Sequence, residues 1–315
     1  MSNILSKQIN NLKVNQDTWI AVDWGTSRLR IWQLNSLNQV LAQAESDQGM
    51  NGLNSDQFEN VLLAQIVGWL PSDQCTLIIA CGMLGSKQGW FEVAYIETPC
   101  YATTLPSQAH TKDPRIQVHI CPGIKQPSPA DVMRGEETQI AGFIASNTAF
   151  NGLICLPGTH SKWAEIQSQK VQKFQTYLTG ELYGLLANQS VLRHSLDTNA
   201  WDDEAFCEAV LFSVNHPQSI SAKLFSLRAQ ALIDDLDAGS INAALSGYLI
   251  GLELADNRAA CQGQTVLLIG DSALASLYSK ALSLLGIEST QTKTDTMTLK
   301  GLGLGYKAVQ KVMRD

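Results

Sequence analysis

Two short segments join glycine to hydroxyl residues at the ends of apolar runs. Asp23-Trp24-Gly25-Thr26-Ser27-Arg28 follows Trp19–Val22, and Pro157-Gly158-Thr159-His160-Ser161-Lys162 follows Leu153–Leu156. A strand that turns at a glycine can aim successive backbone N–H groups and hydroxyls at an anion. One such turn is ordinary loop chemistry. Two of them, about 130 residues apart and with an acid leading only the first, point to two lobes closing on one polyphosphate. Gly25, Thr26 and Ser27 would donate from the first turn, and Gly158, Thr159 and Ser161 from the second. Lys162 either adds a point charge or is a strand-edge lysine in solvent. Asp23 ends its strand just before the glycine, which suits an oxygen ligand for hydrated Mg²⁺ held against phosphates. The plainer alternative is a strand-end acid that stabilises a turn.

The elements that must carry these groups alternate between strand and helix. Trp19–Asp23 and Leu29–Leu34 read as a hairpin around Gly25, with Val40–Ala44 as a third strand. Phe58–Leu70 has helical spacing and stops at Pro71. Thr76–Ala80 is a buried-type strand opening into Gly82-Met83-Leu84-Gly85-Ser86. Residues 95–129 read as loops around one strand, Ile116–Ile120. A helix is expected from Gly135 to about Ser146, then the second glycine turn between strands Leu153–Leu156 and Trp163–Ile166. A mostly helical stretch from Gly180 to about Asp256 follows, with its clearest periodicity at Ala205–Val214 and Ile241–Ala255. Strand Thr265–Gly270 feeds a helix over Ser272–Leu284, and a last helix spans about Gly303–Val312. Gly301-x-Gly303-x-Gly305 reads as a hinge returning that helix to the first lobe, not as a dinucleotide site.

Composition narrows the partners. With 315 residues, 45% hydrophobic and 16% charged, the chain suits two globular domains. A net charge of −7 argues against nucleic acid, since no basic stripe is present. No apolar run is long enough to span a membrane. Residues 1–17 are a polar lead-in without an apolar signal core. Seven cysteines, an odd number without a C-x-x-C pair, fit reduced thiols in the cytoplasm. The five histidines show no metal-ligand spacing.

At this point the chain resembles a known family. Asp23-Trp24-Gly25-Thr26, Gly82-Met83-Leu84-Gly85-Ser86, Val132-Met133-Arg134-Gly135-Glu136-Glu137-Thr138-Gln139, Leu156-Pro157-Gly158-Thr159-His160-Ser161-Lys162-Trp163 and Leu178-Thr179-Gly180-Glu181-Leu182 look like 2-dehydro-3-deoxygalactonokinase. The likeness runs from about Trp19 to the C-terminus. It implies an α/β fold of the actin/hexokinase/Hsp70 type: two RNase H-like lobes with ATP and substrate in a central cleft. The lobes would be residues 17–147 plus 303–315, and 148–302. The implied reaction transfers the ATP γ-phosphate to the terminal hydroxyl of 2-dehydro-3-deoxy-D-galactonate. ATP, Mg²⁺ and a small anionic sugar acid are then the expected ligands, and a homodimer stays open as the assembly. The rival readings are a kinase for the gluco epimer or another sugar acid, and a non-catalytic ATP-binding sugar sensor.

The resemblance also assigns residues. Carbohydrate kinases of this superfamily place their base at the start of a helix running towards the second phosphate hairpin. Gly135-Glu136-Glu137-Thr138-Gln139 is similar to the Gly-Asp-Gln-Gln segment of glycerol and xylulose kinases, with Glu136 at the Asp position. Glutamate is one methylene longer, so Glu137 stays in contention. The bland reading is two acids favourably placed at a helix N-terminus. The substrate carboxylate needs a cation, best a planar one: Arg134 first, with Lys87 and Arg28 as alternatives. Ser86, Gln88 and Trp90 could meet hydroxyls and a sugar face, or Trp90 could simply pack. Thr179-Gly180-Glu181 is either a helix cap or a ligand contact. Gly270, Asp271 and Ser272 resemble the adenosine segment, although Asp271 stands where a second glycine is usual and could instead bond the base or ribose.

Overall fold

The computed structural model describes residues 12–103 and 105–315. The polar lead-in expected over residues 1–17 lies outside the described residues as far as residue 11. The described chain divides into two compact units. The first comprises the described residues up to Phe150, with Ser168–Gln172 and Asp295–Asp315; the second is Asn151–Gln167 with Lys173–Thr294. The sequence reading puts the corresponding boundaries at residues 148 and 303.

The first unit is built on a sheet. Strands β1 (Thr18–Trp24), β2 (Leu29–Asn35) and β3 (Val40–Ser46) form an antiparallel meander, and β4 (Gln74–Gly82) and β5 (Ile116–Ile120) continue it in parallel. Their order is β3-β2-β1-β4-β5. β1 and β4 are buried along almost their whole length because helices cover both faces, so they read as continuous apolar runs. On one face Ile20, Val22, Trp24 and Ile78 pack with Phe58, Leu62 and Ile66 of helix α1 (Phe58–Ile66). On the other, Trp19, Ala21, Leu77 and Ile79 pack with Leu302, Tyr306 and Val309 of the C-terminal helix, Thr294–Arg314. The indole of Trp19 stacks on Tyr306 with ring centres 4.6 Å apart. A hairpin of β6 (Ile124–Pro127) and β7 (Ala130–Met133) then leads into helix α2 (Glu136–Ile144).

Three expectations change here. Residues 95–129, read as loops around the single strand Ile116–Ile120, also hold β6 and three two-residue strands, at Ile96–Glu97, Cys100–Tyr101 and Ser107–Gln108. The helix over Phe58–Leu70 stays α-helical only to Ile66 and tightens into a 3₁₀ turn at Val67–Trp69 before Pro71. The Gly301, Gly303 and Gly305 stretch is not a hinge but lies inside a helix that starts at Thr294. Glycine lowers helix propensity, and here tertiary packing overrides it. A Cβ on Gly301 would lie 1.9 Å from the Thr138 carbonyl oxygen, and one on Gly142 would lie 2.0 Å from that of Met297. The C-terminal helix and α2 therefore touch backbone to backbone.

The second unit carries β8 (Gly152–Leu156), β9 (Ser161–Gln167), β11 (Val266–Gly270), β12 (Ser289–Lys293) and, from Lys173 onward, β10 (Lys170–Tyr177), in the order β12-β11-β8-β9-β10. Its helices are α3 (Thr179–Gln189), α4 (Asp203–Asn215), α5 (Ile220–Ile233), α6 (Ala238–Cys261) and α7 (Ser272–Leu284). Leu153, Cys155, Val266 and Leu268 from the sheet pack with Phe206, Val210, Ile250, Leu254 and Leu282 from the helices.

Candidate active site

In the first unit several sequence-marked groups meet where β1 and β4 end. The register sets Asp23 opposite Arg30 on β2 and Cys81 on β4. Asp23 is buried, and its Oδ2 accepts from Arg30 Nη2. Arg30 in turn donates through Nη1 to Asp295 at the start of the C-terminal helix. Burial raises the pKa of Asp23. Arg30 opposes that shift, while the negative charges of Glu136 and Asp295 reinforce it. Gly82 sits at φ +94°, and a Cβ there would come within 2.6 Å of the Trp24 carbonyl oxygen and 3.4 Å of Asp23 Oδ1. Glycine is thus what leaves that carboxylate oxygen clear.

Gly135, at φ +113°, turns β7 into α2 against the same spot, its would-be Cβ 3.4 Å from the Gly82 Cα. The acid pair follows at once, and its members differ. Glu137 is buried; its Oε2 accepts from the Gly135 amide at 2.6 Å and its Oε1 from Thr138 Oγ1 at 3.0 Å. Burial, with Glu136 beside it, raises its pKa to about 8. Glu136 is only half-buried, and its Oε2 accepts from the Arg134 amide at 3.1 Å.

Arg134 is 8% exposed. Its Nη2 donates to the Val93 carbonyl at 2.8 Å, and its guanidinium lies 4.2 Å from the centre of the Tyr95 ring. Nε and Nη1 have no partner. A Cβ on Gly85 would reach within 2.8 Å of Nη1, so that glycine makes room for the cation. A buried cation with two unused donors is costly unless an anion completes it.

The remaining marked residues are spread along neighbouring turns. Gly25 N donates to Arg28 O at 2.8 Å, closing the first glycine turn, on which Thr26, Ser27 and Arg28 are exposed. Lys87 and Gln88 are also exposed. Ser86 is buried, with Oγ 3.4 Å from Met50 Sδ. Trp90 stacks on Phe58 at 6.4 Å and belongs to the packing around α1.

In the second unit Gly158 and Thr159 form the turn between β8 and β9, with Thr159 and His160 exposed. Gly180 lies against it: a Cβ there would be 2.4 Å from the Gly158 carbonyl oxygen. Glu181 N donates to Thr159 O at 2.9 Å, and its Oε2 lies 2.5 Å from His160 Nε2. Lys162 is buried rather than in solvent, its Nζ 3.4 Å from His160 O. Ser161 also turns inward. It is fully buried, with Oγ 2.9 Å from Tyr278 Oη. Because Tyr278 donates its own proton to Glu253 Oε2 at 2.7 Å, Ser161 must be the donor of that pair. Its hydroxyl proton is therefore spent inside the fold. Asp271 caps α7, its Oδ1 accepting from Ala273 N at 2.9 Å. Gly270 packs near Pro157, and Ser272 is exposed. A cavity of about 400 Å³ opens beside the Gly158-Thr159 turn, walled by Tyr183, Trp201, Leu249, Leu274 and Leu277. All seven cysteines are free. Among the described residues no helix is long and apolar enough to cross a membrane.

Arg30, Asp295, Glu253 and Tyr278 carry this geometry without having stood out in the sequence. Strand register could have suggested Arg30, which sits across the hairpin from Asp23. The other three come from distant segments.

Known proteins resemble the chain along nearly its whole length. A family model described as 2-keto-3-deoxy-galactonokinase matches residues 23–304. A probable 2-dehydro-3-deoxygalactonokinase of Rhizobium meliloti (strain 1021) is 36% identical over 299 residues, covering 92% of this chain and 97% of that protein. The 2-dehydro-3-deoxygalactonokinase of Escherichia coli (strain K12) is 32% identical over 287 residues, covering 90% and 96%. The crystal structure of a candidate 2-dehydro-3-deoxygalactonokinase from Sinorhizobium meliloti matches with a TM-score of 0.84 at 36% identity, over 92% of this chain and 99% of that one. The activator of 2-hydroxyisocaproyl-CoA dehydratase from Clostridium difficile, solved with ADPNP, shares the fold alone. It has a TM-score of 0.51 and 11% identity, over 95% of this chain and 98% of that one. The expected α/β fold of actin/hexokinase type is borne out.

Proposed function

The chain belongs to the 2-keto-3-deoxy-galactonokinase family, and on that footing we propose that it transfers the γ-phosphate of ATP to the C6 hydroxyl of 2-dehydro-3-deoxy-D-galactonate. The observation that carries this reading is the meeting of Asp23, Arg134 and the Glu136-Glu137 pair around the Gly82–Gly135 contact. A sugar-acid kinase needs one group of each kind.

Arg134 holds the C1 carboxylate. Its Nε and Nη1 lack a partner and lie on different edges of the guanidinium, so a carboxylate would take a bond from one of them. Glu136, the more accessible acid, takes the proton from the C6 hydroxyl as its oxygen attacks the γ-phosphorus. The bond from the γ-phosphorus to the bridging oxygen breaks, and ADP leaves. Glu137, largely protonated near neutral pH, braces the helix start instead.

Mg²⁺ travels with the nucleotide and neutralises phosphate charge. One carboxylate suits an ion that keeps most of its water, and Asp23 Oδ1 is the oxygen free to hold it. In the first unit the exposed Thr26 and Ser27 are the donors offered to a phosphate, the Gly25 amide being spent on Arg28 O; in the second unit the backbone of Gly158 and the hydroxyl of Thr159 are the corresponding groups. The cavity beside the second turn suits the nucleoside, with Gly270 and Ser272 nearby in sequence to its wall residue Leu274. The free cysteines favour a reducing compartment, the cytoplasm.

The test is ATP consumption with a panel of 2-keto-3-deoxy aldonates. Turnover highest with the galacto epimer supports the reading. A higher kcat/KM for the gluco epimer would reassign the substrate, and no turnover with any sugar acid would overturn it.

A further inference from the structure

Glu253 lies near the middle of the apolar face of α6 and is 2% exposed. A carboxylate there must be fully satisfied, and the groups that satisfy it share one feature. Oε1 accepts from Trp163 Nε1 on β9 at 2.5 Å. Oε2 accepts from Thr179 Oγ1 at the start of α3 and from Tyr278 Oη on α7 at 2.7 Å. Tyr278 in turn accepts from Ser161, the first residue of β9. Two of these three donors adjoin the Gly158-Thr159 turn. Trp163 and Ser161 belong to the strand that leaves it, and Thr179 precedes Gly180, whose backbone lies on Gly158. The hydroxyl protons of Ser161, Thr179 and Tyr278 all run towards Glu253, whose two oxygens accept at the end of the network.

We propose that Glu253 is a positioning residue for the second phosphate turn, fixing β9 and the start of α3 so that the turn's N–H groups stand ready for the nucleotide's phosphates. The proposal rests on the kinase reading for its ligand, but its own geometry lies wholly within the second unit. Preformed donors bind an anion without ordering cost, so loosening the anchor should weaken nucleotide binding and spare the sugar acid.

Thr179→Val removes one donor at constant shape, and Thr179→Ser keeps it. Calorimetric titration with ADP and steady-state kinetics are read for wild type, both Thr179 variants, Tyr278→Phe and Glu253→Gln, with thermal unfolding alongside. Thr179→Val should weaken ADP binding and raise KM for ATP about tenfold, the scale of one hydrogen bond to a buried charge. KM for the sugar acid should stay within about twofold, and Thr179→Ser should restore the wild-type values. Equal losses for both substrates, or a lowered melting temperature with ADP affinity unchanged, would overturn the proposal. If Glu253→Gln does not fold, the Thr179 pair still decides. ADP titration reads the turn even if no sugar acid is ever turned over, so failure of the kinase reading is separable from failure of this one.

Discussion

Glu137 Oε2 accepts the Gly135 amide at 2.6 Å, so the second acid of the pair folds back onto the start of its own helix. Glu136, one residue earlier, is left with the more open position. Adjacent residues of one type are thereby separated into two environments by a helix start.

Kinetics should divide the pair. Glu136→Gln keeps size and hydrogen bonding but cannot take a proton, so kcat should fall by roughly 10²–10⁴-fold with little change in substrate binding. Glu137→Gln should cost far less. If Glu137→Gln collapses activity while Glu136→Gln stays within about threefold of wild type, the two roles are exchanged.

Glu137 should also leave a mark on stability against pH. Its carboxyl titrates at 4.5 without the fold and at about 8 when buried within it. Between those values the folded state holds a proton that the unfolded chain has released, so stability falls as pH rises, by about 1.4 kcal/mol per unit, and levels off above the upper value. Glu137→Gln lacks this slope. Urea unfolding near pH 5.5 and pH 8 should show the variant gaining on wild type as pH rises; parallel curves would contradict the buried protonated acid.

Asp23→Asn should abolish turnover with the fold intact, since the amide keeps the shape of the side chain and Arg30 retains Asp295. Circular dichroism and the Mg²⁺ dependence of kcat test both halves. Near wild-type kcat would remove Asp23 from the chemistry.

Arg134→Ala should raise KM for the sugar acid while changing KM for ATP little, if the buried guanidinium completes its bonds on the substrate. A larger effect on the nucleotide would place the cation elsewhere in the reaction.

Two glycine-to-alanine changes should act in opposite directions. At Gly301 the new methyl would lie 1.9 Å from a carbonyl oxygen, and overpacking of that kind costs roughly 1–3 kcal/mol. Gly184 in α3 has nothing within 4 Å, so alanine there should add about 0.5–1 kcal/mol through helix propensity. Thermal unfolding of the two variants reads the signs directly.

The parts that sequence revealed are those where local chemistry and burial agree. β1, β4, β8 and β11 are each centred on an apolar run, Asp23 stands two residues before Gly25, and Arg134 and Glu136 flank Gly135. β10 escaped because it alternates Val171 and Phe174 with lysines and glutamines, a pattern that carries little apolar signal. Ser161 was misread because a hydroxyl after a glycine turn can face either side, and only the packing of Tyr278 decides which. Glu253 reads as a solvated helix residue until its donors arrive from segments as far as 90 residues away. Asp295 meets Arg30 across 265 residues, a pairing that no local pattern encodes.

The discontinuity of the first unit bears on how the chain is made. A ribosome that has just released residue 294 has supplied all of the second unit, whose segments are then complete. The first unit at that moment still lacks Leu302, Tyr306 and Val309, and one face of its sheet stands bare, with Trp19 unstacked. Domains generally fold as units during synthesis. The half of the molecule translated first is therefore the half that finishes last, and its apolar sheet face waits on the final helix for cover.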